Sequence, residues 1–327
     1  MRANQGANAG QDRPGAGMPS DVIAWLMQGD PAIRWQTMRD LLDAPMHGWQ
    51  AEQRRTLEAG WGADLLARQA NDGSWGGGIY TPKWTSTTYT LLALHALGIP
   101  PGCAAAQRGA QLMLAELLGP ACDAAFQQKL VALDRCIVGM CLQVAVYFEI
   151  DDARVEAIVG NLLSETMPDG GWNCRRTRRP MPHHSSFHTT FNVLAGLREY
   201  IERCDGARRG EALLAEQRAL ELVLEHRLYK SDHTGQVIDQ KFTRLAFPYR
   251  WHYDLLRGLE YLARAEVPHD SRAQDAIDLL HEKRDSQGRW PAQQKYHGKV
   301  FFEMESVRKP SRWNTLRALR VLRWWDS

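Results

Sequence analysis

The sequence predicts an all-α protein, an (α/α) toroid of about six helical hairpin repeats. Three observations carry this expectation. A turn of the form Asp-Gly-x-Trp, complete or reduced, recurs at Asp72–Trp75, Asp169–Trp172, Thr234–Gly235 and Gln287–Trp290. The interval is roughly 50 residues with two helices in each, which is the mark of a helical repeat array. Apolar helices with polar openings alternate with more polar helices, and no strand pattern intervenes. Six apolar helices ringed by a more polar set predict a closed ring.

The elements follow in order. Residues 1–19 are rich in Gly, Ala, Asn and Gln, lack an apolar segment and are expected to be a disordered tail. The remainder, 20–327, is expected to form one toroid domain. Ser20-Asp21 caps a first helix. Asp30-Pro31 supplies an N-cap and a first-turn proline for a helix through Ile33, Trp35 and Leu41. A single helix is expected from about Gln53 to Ala70. Thr87 opens the next apolar helix, which stops at Gly98. An alanine- and leucine-rich helix covers Ala104 to Leu118. Asp134-Arg135-Cys136 then starts the helix through Met140 and Phe148. Asp151-Asp152 begins another, and Ser185-Ser186 opens one with His188 in its first turn. A charged helix spans about Arg208 to His226. The fifth and sixth inner helices open at Arg250 and Arg312, with Asp270–Lys283 between them.

Composition narrows the function. The 327 residues are 44% hydrophobic and 24% charged, enough for a large core, and the net charge of +2 argues against a general nucleic-acid binder. Six cysteines without close pairing and no leader pattern point to a reducing cytoplasm. No run approaches the roughly 18 apolar residues of a membrane span. Twelve tryptophans either fill a wide core or line an apolar cavity. Trp75, Trp172, Trp251 and Trp313 are the candidates for the second role. Arg175, Arg176, Lys241, Arg250 and Arg312 lie in loops before inner helices, where guanidiniums gathered at one end would bind a polyanion. The same loops are also ordinary solvated surface. Asp254 and His252 are acid–base candidates, although residues two apart on a helix diverge.

The stretch Gln69-Ala70-Asn71-Asp72-Gly73-Ser74-Trp75-Gly76 resembles the Q-x-x-D-G-x-W repeat of squalene–hopene and related triterpene cyclases. The β subunits of protein prenyltransferases share that toroid. The resemblance implies the fold and a central aromatic cavity. The chain lacks the D-x-D-D acid of the triterpene cyclases. It is more similar to the prenyltransferases, whose zinc is held by a D-x-C pair and a later histidine. Carried over, Asp134, Cys136 and His188 become zinc ligands, with Asp134 and His188 beside the chemistry, and Cys174 and His252 as further ligands. Thiolate, imidazole and carboxylate suit zinc and leave a position open. A free cysteine that merely fills core and a histidine that merely satisfies a helix start stay open as alternatives. The resemblance thus implies a zinc-dependent enzyme acting on an isoprenoid diphosphate or a peptide thiol. The alternatives are a non-catalytic lipid- or peptide-binding toroid and a triterpene-type cyclase with a different acid.

Overall fold

The computed structural model describes residues 20–174, 180 and 182–327. The expected tail and the arginines at 175 and 176 lie outside them. Fourteen α-helices run through the described residues: α1 (Ser20–Met27), α2 (Pro31–Asp40), α3 (Met46–Arg54), α4 (Gly60–Leu66), α5 (Thr87–Leu97), α6 (Ala104–Leu118), α7 (Ala124–Ala132), α8 (Arg135–Tyr147), α9 (Arg154–Ser164), α10 (Phe187–Arg203), α11 (Arg209–Glu225), α12 (Leu255–Arg264), α13 (Gln274–Glu282) and α14 (Arg312–Trp325). The fold is an α/α toroid. Its inner helices are α2, α5, α8, α10, α12 and α14. Residues Ile137 to Tyr147 of α8 are all buried, whereas α9 and α13 bury one face only.

The Asp-Gly-x-Trp turns are clasps. Trp75, Trp172 and Trp290 are each fully buried. Each indole Nε1 donates at 2.7 Å to a carbonyl ten residues earlier, that of Leu65, Leu162 or Leu280. Each tryptophan N–H donates to a threonine hydroxyl in the next inner helix: Thr87 at 3.0 Å, Thr190 at 3.0 Å and Thr315 at 2.9 Å. One side chain therefore joins an outer helix (α4, α9 or α13) to the inner helix that follows. Burying a tryptophan removes about 150–250 Å² from water, worth about 4–6 kcal/mol at about 25 cal/mol/Å². A net hydrogen bond adds about 1 kcal/mol. Apolar burial supplies the energy, and the hydrogen bonds set the register. This places Trp75 and Trp172 in the core and corrects their expected role on a ligand surface.

The ring closes through contacts between successive inner helices. Trp35 Nε1 on α2 donates to Leu97 O on α5 at 3.1 Å. Tyr147 of α8 donates to Ile99 O just past α5 at 2.9 Å. Where α8 crosses α10, glycines meet: a Cβ on Gly139 would lie 2.5 Å from Asn192 O, and one on Gly196 2.5 Å from Gly139 O. Only hydrogen at both positions permits that approach. Tyr261 of α12 donates to Leu194 O on α10 at 3.1 Å, and Arg317 of α14 reaches Glu260 on α12 at 2.8 Å. Arg320 of α14 then pairs with Asp40 of α2 at 2.5 Å, joining last helix to first.

Three local expectations are corrected. The helix expected over Gln53–Ala70 is broken. α3 ends at Arg54, a 3-10 turn covers Arg55–Leu57, and Gly60, the first residue of α4, adopts φ +74. A Cβ at Gly60 would sit 2.2 Å from the Asp30 carboxylate, which caps α2 and also accepts from Trp61 N at 2.8 Å. The helix α7 was not anticipated; Asp123 caps it by accepting from Phe126 N at 2.9 Å. A two-residue antiparallel pair, Trp290–Pro291 with Pro310–Ser311, is present where no strand was expected. Among the described residues no helix is long and apolar enough to cross a membrane.

Trp172→Ala should cost about 3–5 kcal/mol in urea denaturation, the range for deleting a large buried aromatic. A loss below about 1 kcal/mol would mean that the clasp does not hold the repeats together.

Candidate functional site

The ring encloses a bore. An inner cavity of about 480 Å³ of atom-free space is lined by Tyr89, Ala93, Gln143, Asn192, Tyr249 and Arg257, among others. It shares Ala96, Gln143, Tyr249 and Arg257 with a wider one at the C-terminal ends of the inner helices. That wider cavity holds about 2370 Å³, its open mouth included. Its wall combines aromatic faces (Trp35, Trp49, Tyr147, Trp313 and Trp324) with Glu202, Glu260, Arg264, Arg317 and Arg320.

His95 and Glu199 meet in this wall from α5 and α10. The His95 Nε2 lies 2.9 Å from Glu199 Oε1, and Glu199 is only 1% exposed. Arg203 and Arg264 each donate to the same carboxylate at 2.7 Å. Burial pushes the Glu199 carboxyl up, but the His95 ring and the two guanidiniums outweigh it and hold it well below the usual carboxylate range. A carboxylate only accepts, so Nε2 carries a proton, and in the neutral ring the lone pair is on Nδ1. The Gln143 amide reaches Nδ1 at a long 3.3 Å. Tyr147 packs edge-on at 4.4 Å, its hydroxyl occupied by Ile99 O. Sequence reasoning named neither residue of this pair. The two are 104 positions apart, each inside an apolar helix, and no motif joins them.

The opposite mouth, at the N-terminal ends of the inner helices, gathers several of the predicted residues. Asp134, Cys136 and Cys174 bring one donor atom each within 4.8 Å of one another. Cys136 sits in the first turn of α8. The two Sγ atoms are 3.2 Å apart, and Cys174 Sγ also lies 3.3 Å from Thr189 Oγ1. The hydrogen bond with Cys136, helped by Thr189, pulls the Cys174 thiol down to about 7; the same bond and burial push Cys136 up. Two thiols and a carboxylate are a donor set suited to a zinc-type ion, with one position left open. His188 is not part of this group. Its Nδ1 accepts from Tyr253 N at 2.8 Å, and its ring packs edge-on against Trp251 and His252. Of the expected ligands, Asp134, Cys136 and Cys174 come together, and His188 stands apart from them.

His252 is sandwiched between Trp251 at 3.7 Å and Tyr296 at 3.6 Å. Burial, with His188 and Lys83 nearby, pushes its pKa down to about 3. It is a neutral ring at neutral pH, held between two aromatic faces. Arg250 lies over Trp84 at 5.4 Å, and burial lowers its pKa to about 10. Both residues take positive φ, Trp84 at +78 and Arg250 at +58, a local strain concentrated at this mouth.

The other predicted residues scatter. Asp254 is fully buried and caps α12, accepting from Arg257 N and Ala246 N at 2.9 Å each. Its acid–base role is corrected to a structural one. Arg312 lies over Trp25 and donates to that residue's carbonyl at 3.0 Å. Lys241 is exposed on a 3-10 turn. Trp313 stacks on Phe247 at 4.3 Å and borders the wider cavity. Arg175 and Arg176 fall outside the described residues. Arg250, Arg312 and Lys241 thus face different surroundings and do not assemble a polyanion ring.

No known family model matches the chain, and no curated protein matches its sequence. Solved structures that are similar include two enzymes. One is a polysaccharide lyase, with TM-score 0.50 and 12% identity over 94% of this chain and 97% of that one. The other is a glycosyl hydrolase family 88 protein from Bacteroides vulgatus, with TM-score 0.49 and 13% identity over 92% and 96%. Likeness at such identity concerns the fold. It corrects the expectation of an isoprenoid- or thiol-handling zinc enzyme with a diphosphate or peptide-thiol partner. The toroid that overlays this chain is a polysaccharide lyase, so the fold is no argument for prenyl or cyclase chemistry. The lipid-binding and cyclase alternatives go with it. The geometry agrees: Trp75 and Trp172 line no apolar cavity, and the bore wall is rich in charge.

A histidine whose native pKa is lowered binds fewer protons folded than unfolded. Its contribution to stability is present above the unfolded value of about 6.5 and is lost as pH falls toward the folded value. Wild type should therefore lose stability between pH about 6.5 and 5 faster than His252→Phe, by up to about 1 kcal/mol per pH unit. Parallel urea midpoints for the two proteins across that window would contradict the buried neutral ring.

Proposed function

We propose that this chain is a carbohydrate-processing enzyme that holds a saccharide in the wider cavity and uses His95, oriented by Glu199, as its base. The observation that carries the reading is the His95–Glu199 pair in the cavity wall. A base needs a fixed tautomer and an accessible lone pair. Glu199 fixes the first, and Nδ1 offers the second, with the long Gln143 contact as the one a substrate or water would replace. Aromatic faces beside carboxylates, amides and guanidiniums match a sugar, which presents apolar ring faces and a rim of hydroxyls. The fold likeness to a polysaccharide lyase supports the same substrate class. The thiol group at the far mouth takes no part in this reading.

The base would take a proton from a sugar carbon in an elimination, or from water in a hydrolysis. A panel of neutral and acidic polysaccharides, read by new reducing ends and by ultraviolet absorbance from a new double bond, separates the two. His95→Gln should lower turnover about 10²–10⁴-fold, the usual worth of general base catalysis, while circular dichroism stays unchanged. Glu199→Gln should lower it as well. A wild-type protein that neither cleaves nor binds any saccharide, or a fully active His95→Gln variant, would refute the proposal.

A further inference from the structure

The chain has six free cysteines. Among the described residues, one pair of them is in contact: Cys136 and Cys174, with Sγ atoms 3.2 Å apart. We propose that these two form a reversible dithiol–disulfide site that takes low-molecular-weight disulfides as its oxidant.

The separation favours this chemistry. A disulfide has sulfurs about 2.05 Å apart. Two thiolates on a tetrahedral zinc, at about 2.3 Å from the metal, stand about 3.8 Å apart. The observed pair is closer than the metal geometry, and about 1 Å of side-chain movement closes the bond. Both cysteines are half-buried, so a small disulfide can reach them, whereas Cys141 is buried in the core. The backbone is set on both sides. Cys136 belongs to the first turn of the buried helix α8, and Cys174 follows Trp172 by two residues, with that tryptophan held by Leu162 and Thr190.

The roles of the two sulfurs differ. Cys174 is placed as the attacking group, because its Sγ has two polar neighbours that could steady a thiolate, the Cys136 sulfur at 3.2 Å and the Thr189 hydroxyl at 3.3 Å. Its thiolate attacks one sulfur of oxidised glutathione, breaks that S–S bond and releases one glutathione thiolate. Cys136 then gives its proton to solvent and attacks Cys174 Sγ, expelling the second glutathione. Two protein thiols are oxidised, and one small disulfide is reduced to two thiols. The new bond ties the start of α8 to the segment that follows Trp172, close to Tyr80. That tyrosine shares a 3.0 Å hydrogen bond with Tyr89 of the inner cavity wall.

The test uses the full chain, reduced and then equilibrated with mixtures of reduced and oxidised glutathione, alkylated and mapped by mass spectrometry. A single cross-link joining the Cys136 and Cys174 peptides is expected. Cys136→Ser should instead trap one glutathione on Cys174, with circular dichroism unchanged. A variant with Cys103, Cys122 and Cys204 all changed to Ser should form the same cross-link as wild type. A cross-link to another cysteine, or none while the protein stays folded, overturns the proposal. So does one equivalent of bound zinc that blocks oxidation until it is chelated, which would assign Asp134, Cys136 and Cys174 to a metal instead.

Discussion

The toroid depends on the buried tryptophan clasp. An α-hairpin repeat cannot bury its apolar face alone; it needs a neighbour at a fixed angle. Trp75, Trp172 and Trp290 supply that angle by filling the junction between an outer helix and the next inner one. Their two hydrogen bonds leave one register available. The glycine two residues before each tryptophan takes positive φ, at Gly73, Gly170 and Gly288, so the turn can reverse tightly enough to bring the indole back over the preceding helix. The remaining junctions use other means: the Asp30 carboxylate at α2 and the glycine crossing of α8 with α10.

Once the ring is closed, its two ends differ in kind. The N-terminal ends of the inner helices carry thiols, stacked aromatics and a neutral histidine, with side chains from loops between repeats. The C-terminal ends carry a charged network that crosses the bore. Glu199 is the centre of that network: α5 reaches it through His95 and α12 through Arg264. A buried carboxylate is tolerated because cations surround it, and removing one would leave an uncompensated charge. The network therefore both holds three inner helices in place and fixes the tautomer of the one histidine it contains.

Much of the fold was legible in the chain, and little of the site. The N-cap at Asp30, the Pro31 start and the Gly98 stop are local features, and the structure has each of them. The break at Gly60 was missed because its cause is Asp30, a residue from a neighbouring helix. The predicted mouth residues were partly right in place and wrong in grouping. Cys136 and Cys174 do meet, yet His188 turns toward Trp251 and Tyr253 instead.

By itself the sequence determined the helical repeat, its period and the turns that separate one hairpin from the next. Those properties follow from backbone capping and apolar spacing within about twenty residues. Tertiary structure alone decided which tryptophans are core, which cysteines touch and that His95 faces Glu199. A helix pattern records which side of each helix is apolar. It does not record which residues on six such sides come level with one another when the ring closes, and the bore is made of those levels.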